Sequence, residues 1–410
     1  MKSWKKTFLT IWTGQALSIL SSYAVGFAIV LWLSFKTQSA EVLAYATIAA
    51  LLPQAVLGTF AGVYIDRWNR KTTMILADSF IAFCTLILSV LFYFDIMETW
   101  HIYALLAFRS AGAAFHSPAM KASVPLLAPK SELMRIAGIN QTIESASNIA
   151  GPALGALLFS IMDFSWILLL DVFGAIAACT ALAFVTIPKP PRNESKEKPH
   201  LVRETKEAIR EVRNHKGMPL LFLFSIIITF CIMPVSALFP LMTLNHFSGN
   251  EFQMSIVEIA WGVGALAGGG LLGIWKVRMN KVILINLTYI AIGISFLFSG
   301  LLSPAMFAMF VALTALGGIS GSIYNASFTA ILQERVNPAV LGRVFSLFMS
   351  ASLLPSMIGL LATGFLADSI GLANTFIVSG GLIIIVSVIA LYSRSTFPLG
   401  ANSGIAKEQT

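Results

Sequence analysis

Charge is what this chain has least of. Of its 410 residues only 11% are Asp, Glu, Lys or Arg, whereas 57% are hydrophobic; soluble domains usually carry about 25% charged residues. A water-soluble fold would need very large cores with almost nothing polar around them, so that class is excluded. Cysteine is scarce too. Cys84, Cys179 and Cys231 each stand alone in an apolar run, at no disulfide, redox or metal-ligand spacing, and read as small packing residues. The five histidines, His116 and His246 among them, are scattered. Without a clustered His/Cys set or an H-E-x-x-H helix, no metal is expected. No G-x-x-x-x-G-K-S/T loop is present, which excludes direct use of ATP, and no cofactor is expected. No polar stretch is long enough for a catalytic domain, which argues against an enzyme. The short alternating segments of an outer-membrane barrel are missing as well.

Apolar runs of about 20 residues or more fill the chain instead, the length that crosses a bilayer as a helix. In lipid each backbone polar group must be paired internally, which a helix does by itself. The pattern predicts an all-α integral membrane fold of twelve transmembrane helices. The first six fall near 8–35, 42–65, 73–94, 99–126, 136–161 and 164–187, the last six near 219–246, 252–275, 282–301, 304–332, 342–367 and 372–393. The run from Phe8, after a basic start, is too long for a signal peptide and reads as an uncleaved first helix. The basic residues support the helix count. Lys5, Lys6, Arg67, Arg70, Lys71, Lys121, Lys130, Arg135, Lys276, Arg278, Lys281, Arg335, Arg343 and Arg394 fall on one side, and the other side receives only Lys36. By the positive-inside rule both termini are expected in the cytoplasm, with the protein in a bacterial inner (plasma) membrane. The net charge of +8 thus follows topology, and no basic soluble face exists for nucleic acid.

A charged linker at 188–218 divides the chain into two expected six-helix bundles, 1–187 and 219–394, followed by a cytoplasmic tail at 395–410. Pro188, Pro190 and Pro191 end the sixth helix. Within the linker Leu201, Thr205, Ala208, Ile209 and Val212 share one helical face opposite a charged one, which predicts a short amphipathic helix on the cytoplasmic membrane surface. The two halves read as weak repeats: 115–129 can be laid on 324–338, with Arg135 and Arg343 shortly after each.

Gly62-Val-Tyr-Ile-Asp66-Arg67-Trp-Asn-Arg70-Lys71 sets a knot of charge between helices 2 and 3. A span must end there, because each charge costs roughly 3 kcal/mol at a helix centre. The layout G-x-x-x-D-R-x-x-R-K resembles the signature loop of the major facilitator superfamily. That resemblance implies a conformational latch. Asp66 would face the N-terminal end of helix 11 near Gly342, Arg70 would steady it, and Gly62 would permit close approach. An ordinary positive-inside loop explains Arg67, Arg70 and Lys71 but not the acid. The matching loop of the second half, 273–281, has no acid, so no second latch is expected.

Few ionisable residues lie inside the spans, and such residues mark function by default. Arg109 sits in helix 4, where the family pattern ties an arginine to proton coupling. Gly112 comes one place early for that pattern, and the usual glutamine is absent. Helix 5 carries Gln141, Glu144, Asn148, Gly151, Pro152 and Gly155 broadly on one stripe. Gly151-Pro152-x-x-Gly155 resembles the core of the antiporter motif, with Ser147 and Ala156 where the full motif has glycine. Glu144 lies roughly 14 Å in from Arg135 and Arg109 roughly 18 Å in from Lys121 by helical rise, so the two are expected at similar depth, as a charge pair or relay. Glu144 is the first choice of proton-coupling acid, with Asp171 and Glu258 as further candidates. Asp78 reads as structural, paired with a loop arginine. Gln15, Tyr23, Phe27, Gln141, Asn148, Met233, Phe239, Trp261, Tyr324 and Asn325 are candidate cavity-lining residues, although packing positions would look the same.

Thr10-Ile-Trp-Thr-Gly-Gln15-Ala-Leu-Ser, Asp66-Arg67-x-x-Arg70-Lys71, Phe115-His-Ser-Pro118-Ala, Ser236-Ala-Leu-Phe-Pro240 and Leu341-Gly-Arg-Val-Phe-Ser346 together make the chain similar to the macrolide efflux branch of bacterial drug exporters. The resemblance implies proton-coupled export of amphipathic drugs by alternating access. Its implied partners are the lipid bilayer, protons and a small amphipathic substrate, and a monomer is expected. An endogenous metabolite, lipid or siderophore remains an alternative cargo, because branches of one architecture differ in what they carry.

Overall fold

The computed structural model of the protein describes residues 3–65, 68–129, 133–187, 201–274, 279–336 and 340–400. Its described residues are helical, with no strand among them. The first six long helices are α1 (Ser3–Thr37), α2 (Ala40–Ile65), α3 (Arg70–Tyr93), α4 (Thr99–Leu127), α5 (Leu133–Ile161) and α6 (Phe164–Ala183). The linker helix α7 (Leu201–Asn214) follows. Then come α8 (Met218–Ser236), the single turn α9 (Phe239–Leu241), α10 (Glu251–Ile274), α11 (Lys281–Leu301), α12 (Phe307–Arg335), α13 (Leu341–Ile370), α14 (Leu372–Tyr392) and the terminal turn α15 (Phe397–Gly400). Twelve of these are long helices, as the hydropathy pattern predicts.

By length and composition, ten helices among the described residues suffice to cross a membrane. The remaining two long helices, α4 and α5, have 29 residues each, but polar residues interrupt their apolar runs. These two spans carry Arg109, His116, Glu144 and Asn148. Outward-facing Phe83, Phe173, Ile176, Leu266 and Ile358 are exposed, as a lipid-contacting surface requires.

The chain divides into two compact units, Met1–Thr37 with Tyr45–Glu197 and Gln38–Ala44 with Lys198–Thr410. In the first, α1 packs on α5 and α6, and α3 packs on α4 and α6. In the second, α8 packs on α13 and α14, and α11 packs on α12 and α14. Matched in order of the long helices, these are the same pairings, so the weak sequence repeat corresponds to a repeated bundle topology.

Local departures from the expected boundaries have physical causes. The expected seventh helix is broken after Ser236, restarts at Phe239 and passes into a π-turn at Met242–His246. Pro240 has no N–H to give and its ring would clash with the carbonyl four residues back. Helix 6 ends at Ala183 rather than near 187, where Lys71 Nζ donates to the carbonyls of Ala183 (3.1 Å) and Val185 (2.7 Å). A cation at a helix C-terminus satisfies orphan carbonyls and suits the dipole. The start of the tail is docked: Arg335 donates to the carbonyls of Leu399 and Pro398, and Asn280 to that of Phe397.

The linker helix α7 packs partly on the second unit. Ala208 and Val212 are buried, and α7 packs against α13. Glu207 accepts from Arg343 of α13 and from Arg203 one turn back. Ala208 and Val212 of the apolar face are thus covered by protein, while Ile209 is half-buried and Thr205 exposed.

Candidate functional site

Polar side chains inside the first unit gather in layers. Arg109 of α4 pairs with Asp171 of α6, Nη2 to Oδ2 at 2.9 Å, and the side chains are only 11% and 2% exposed. Ser22 of α1 donates to Asp171 Oδ1 at 2.5 Å, and Thr85 of α3 donates to Oδ2 at 2.9 Å. Four helices thus converge on one carboxylate. Guanidinium and carboxylate neutralise each other where a lone charge would be costly. The arginine expected beside Glu144 therefore has a different partner, because α6 rather than α5 brings its acid to α4.

A second layer lies two turns away along three of the same helices. Gln15 of α1 donates from Nε2 to Asp78 Oδ2 at 3.2 Å, and His116 Nε2 of α4 lies 3.1 Å from Asp78 Oδ1. Gln15 and Asp78 are buried. Asp78 was expected to meet a loop arginine; its partners are a glutamine and a histidine inside the bundle. Sequence reasoning left His116 among scattered histidines and put Gln15 on a cavity wall. A usable signal exists: Gln15/Ser22, Asp78/Thr85 and His116/Arg109 are each seven residues apart, so each pair shares a helix face.

The antiporter-like stripe on α5 is a packing surface for α1. A Cβ on Gly151 would come within 2.5 Å of the Cβ of Tyr23, and one on Gly155 within 2.6 Å of the Ala24 carbonyl oxygen. Only glycine allows these backbones to meet so closely. Pro152 is buried beside them, while Glu144 and Asn148, on the same helix, are exposed. Tyr23 is exposed and Phe27 buried.

In the second unit Phe239 belongs to an aromatic core rather than a cavity wall. It is buried, with its ring 5.8 Å from Phe296, 5.6 Å from Phe310 and 5.3 Å from Phe376. Trp261 packs against α12, where a Cβ on Gly317 would approach its ring to 2.8 Å. Tyr324 lies 4.6 Å from the Tyr289 ring. Met233 is half-buried and Asn325 exposed. Glu258 of α10 is half-buried and has no hydrogen bond or ion pair with any described residue.

Of the expected latch, Asp66 and Arg67 lie outside the described residues. Gly62 and Gly342, like Gln141 of α5, are placed in helices by their backbone alone. Arg70 opens α3 behind Asn69, whose side chain accepts from the Thr72 N–H. Lys71 is engaged at the end of α6, as described above. The three cysteines are free, and no group of His, Cys, Asp or Glu among the described residues could hold a metal.

Comparison with known proteins adds to this geometry. The family model of the Major Facilitator Superfamily matches residues 11–308 and 235–409. Macrolide efflux protein A of Streptococcus pyogenes is 39% identical over 387 residues, covering 94% of this chain and 96% of that protein. Macrolide efflux protein A of Enterococcus faecalis is 38% identical over 314 residues, covering 77% and 97%. Among solved structures, a bacterial homolog of the human lysosomal transporter Spinster, inward-facing and unoccupied, superposes with a TM-score of 0.70 at 14% identity, covering 98% of this chain and 99% of that one.

Proposed function

The chain belongs to the major facilitator superfamily, and we propose that this multi-pass membrane transporter exports macrolide-type amphipathic drugs in exchange for protons. The observation that carries the cargo is the 39% identity to macrolide efflux protein A across nearly the whole of both chains. The two bundles would rock about a shared site, opening it alternately to either side. Both termini would lie in the cytoplasm of a bacterial inner membrane, and a single chain would suffice for transport.

Proton coupling needs an acid that changes partners as the site changes sides. Asp171 is ill suited, because arginine keeps its proton and three donors already satisfy the carboxylate. Glu144 fits better. It is exposed within a span, and a carboxylate facing lipid would be costly, so it is expected to face a water-filled space. Glu258 is the counterpart in the second unit, free of described partners and open to a proton or a cationic amine of the substrate. Gly151 and Gly155 fix α5 to α1, which would hold Glu144 steady while the unit moves as one body. The 62–71 loop, through Asp66 and Gly342, would bias which orientation is populated.

Drug susceptibility of cells expressing the chain tests this reading. Expression should raise tolerance to erythromycin. Glu144→Gln and Asp66→Asn should lower that tolerance while the protein stays in the membrane. Unchanged susceptibility across a broad antibiotic panel would refute drug export and turn the search to a metabolite, lipid or siderophore.

A further inference from the structure

We propose that Gln15, Asp78 and His116 form a proton-binding site in the first unit, about two helical turns (roughly 10 Å) from the Arg109–Asp171 pair. The proposal rests on the proton-exchange reading above and gives that reading a second, titrating site. The geometry separates the two layers by what each can do with a proton. Arg109 cannot release one, so its layer is a permanent ion pair. An imidazole such as that of His116 can take up or give back a proton. With both ring nitrogens protonated, His116 sets an imidazolium 3.1 Å from Asp78 Oδ1, a charge contact outside hydrogen-bond geometry, and the two charges neutralise each other. When one ring proton leaves, the pair carries one uncompensated negative charge inside the bundle; the neutral ring can keep its remaining N–H on Nε2, and the Gln15 amide N–H still donates to the carboxylate.

Gln15 is suited to both states. Its Nε2 donates to Asp78 at 3.2 Å, while its Oε1 is buried without a partner among the described residues, on a residue that is 0% exposed. An amide carries a donor and an acceptor on one plane, so a flip lets it accept from a protonated carboxyl as readily as it donates to an ionised one. The unpaired oxygen is the acceptor that a second proton, or a water carrying it, would meet. An arginine or lysine in that place would fix one charge state.

Among the described residues, other ionisable groups lie on the helices packed around the site. On α3, Lys71 stands two turns from Asp78 and is engaged by the carbonyls of Ala183 and Val185. Arg109 on α4 is neutralised by Asp171. On α6, Cys179 lies with its Sγ 3.8 Å from Ser79 Oγ. From α5, which packs on α1, Glu144 is exposed rather than turned into this layer.

The test uses the full chain in lipid nanodiscs with isotope-labelled histidine, read by nuclear magnetic resonance across pH. The signal lost in His116→Gln identifies His116. It should change with pH, and Asp78→Asn should move that change to lower pH by about one unit or more, since the carboxylate that favours imidazolium is gone. Should Asp78→Asn not assemble, Gln15→Glu adds a carboxylate and should raise the midpoint by a similar amount. A His116 signal that does not change with pH, or ignores both substitutions, overturns the site.

Its coupling role is read in proteoliposomes loaded with radiolabelled erythromycin. His116→Gln should lose transport driven by a pH gradient and keep gradient-free exchange. Equal loss of both modes, or loss of neither, overturns that role. A wild-type chain that moves no erythromycin in either mode sinks the efflux reading, and the titration then decides the site alone.

Discussion

Replacing Asp171 by Leu should cost more stability than replacing Arg109 by Met, although each change removes one end of the same pair. Without Asp171 the guanidinium keeps its charge at every usable pH. Its Nη1 is already buried without a partner, and Nη2 would join it. Ser22 would lose its acceptor as well, whereas Thr85 keeps a bond to the Ile81 carbonyl. Breaking a buried pair in this way costs about 3–5 kcal/mol. For a bundle of this size that corresponds to a fall in Tm of roughly 10 °C. Without Arg109 the carboxylate still accepts from Ser22 and Thr85, and it can shed its charge by binding a proton. The expected cost is about 1–3 kcal/mol, smaller at acid pH than at neutral pH. The double variant removes both charges and should recover most of the loss, because neutral replacements of buried pairs are often tolerated. Thermal unfolding of the full chain in detergent, followed by tryptophan fluorescence at two pH values, reads all four proteins. A double variant no better than Asp171→Leu, or an Arg109→Met whose deficit grows on acidification, would refute the reasoning.

Other expectations follow from packing and capping. Gly151→Leu drives a side chain into Tyr23 and the α1 backbone; overpacking of that kind costs about 1–3 kcal/mol or more, so reduced yield of folded protein and a lower Tm are expected. Lys71→Ala frees the carbonyls of Ala183 and Val185, and hydrogen exchange should show a loosened end of α6 with global stability lowered by about 1 kcal/mol. Glu207→Ala removes the acceptor of Arg343 and should speed proteolytic cleavage around α7; cleavage at the wild-type rate would mean that buried Ala208 and Val212 hold the helix unaided.

Much of this fold was legible because lipid imposes so few choices. Twelve apolar runs and the one-sided distribution of Lys and Arg determined the helix count, whereas the break in the seventh span was missed although Pro240 carries its signal. The end of α6 was not legible. It depends on Lys71, which reaches Ala183 from 112 residues away in sequence. The partner of Arg109 was misread for a related reason. Counting rise along single helices estimates depth, and Glu144 lies at a plausible depth. Depth leaves lateral position open, and the lateral position of Asp171 is set by α6 packing on α1 and α3. Asp78 was paired with a loop arginine for want of the same information.

What single-helix counting misses, a comparison between helices can recover. A polar side chain in a membrane bundle must find another at its own level, so polar residues repeating at one interval on several helices point to stacked layers. Residues 15 and 22, 78 and 85, and 109 and 116 repeat every seven, and the structure joins them into two layers. The second unit repeats the helix pairings but fills its interior differently: Phe239, Phe296, Phe310 and Phe376 pack together there. One topology therefore holds buried polar layers in the first half, and in the second an aromatic cluster around Phe239. If the first half handles protons, trimming the aromatic core should lower stability and leave the pH dependence of transport in place. Phe310→Leu, which keeps an apolar side chain at a fully buried position, separates the two: a shifted pH profile at retained folding would mean that coupling runs through both bundles.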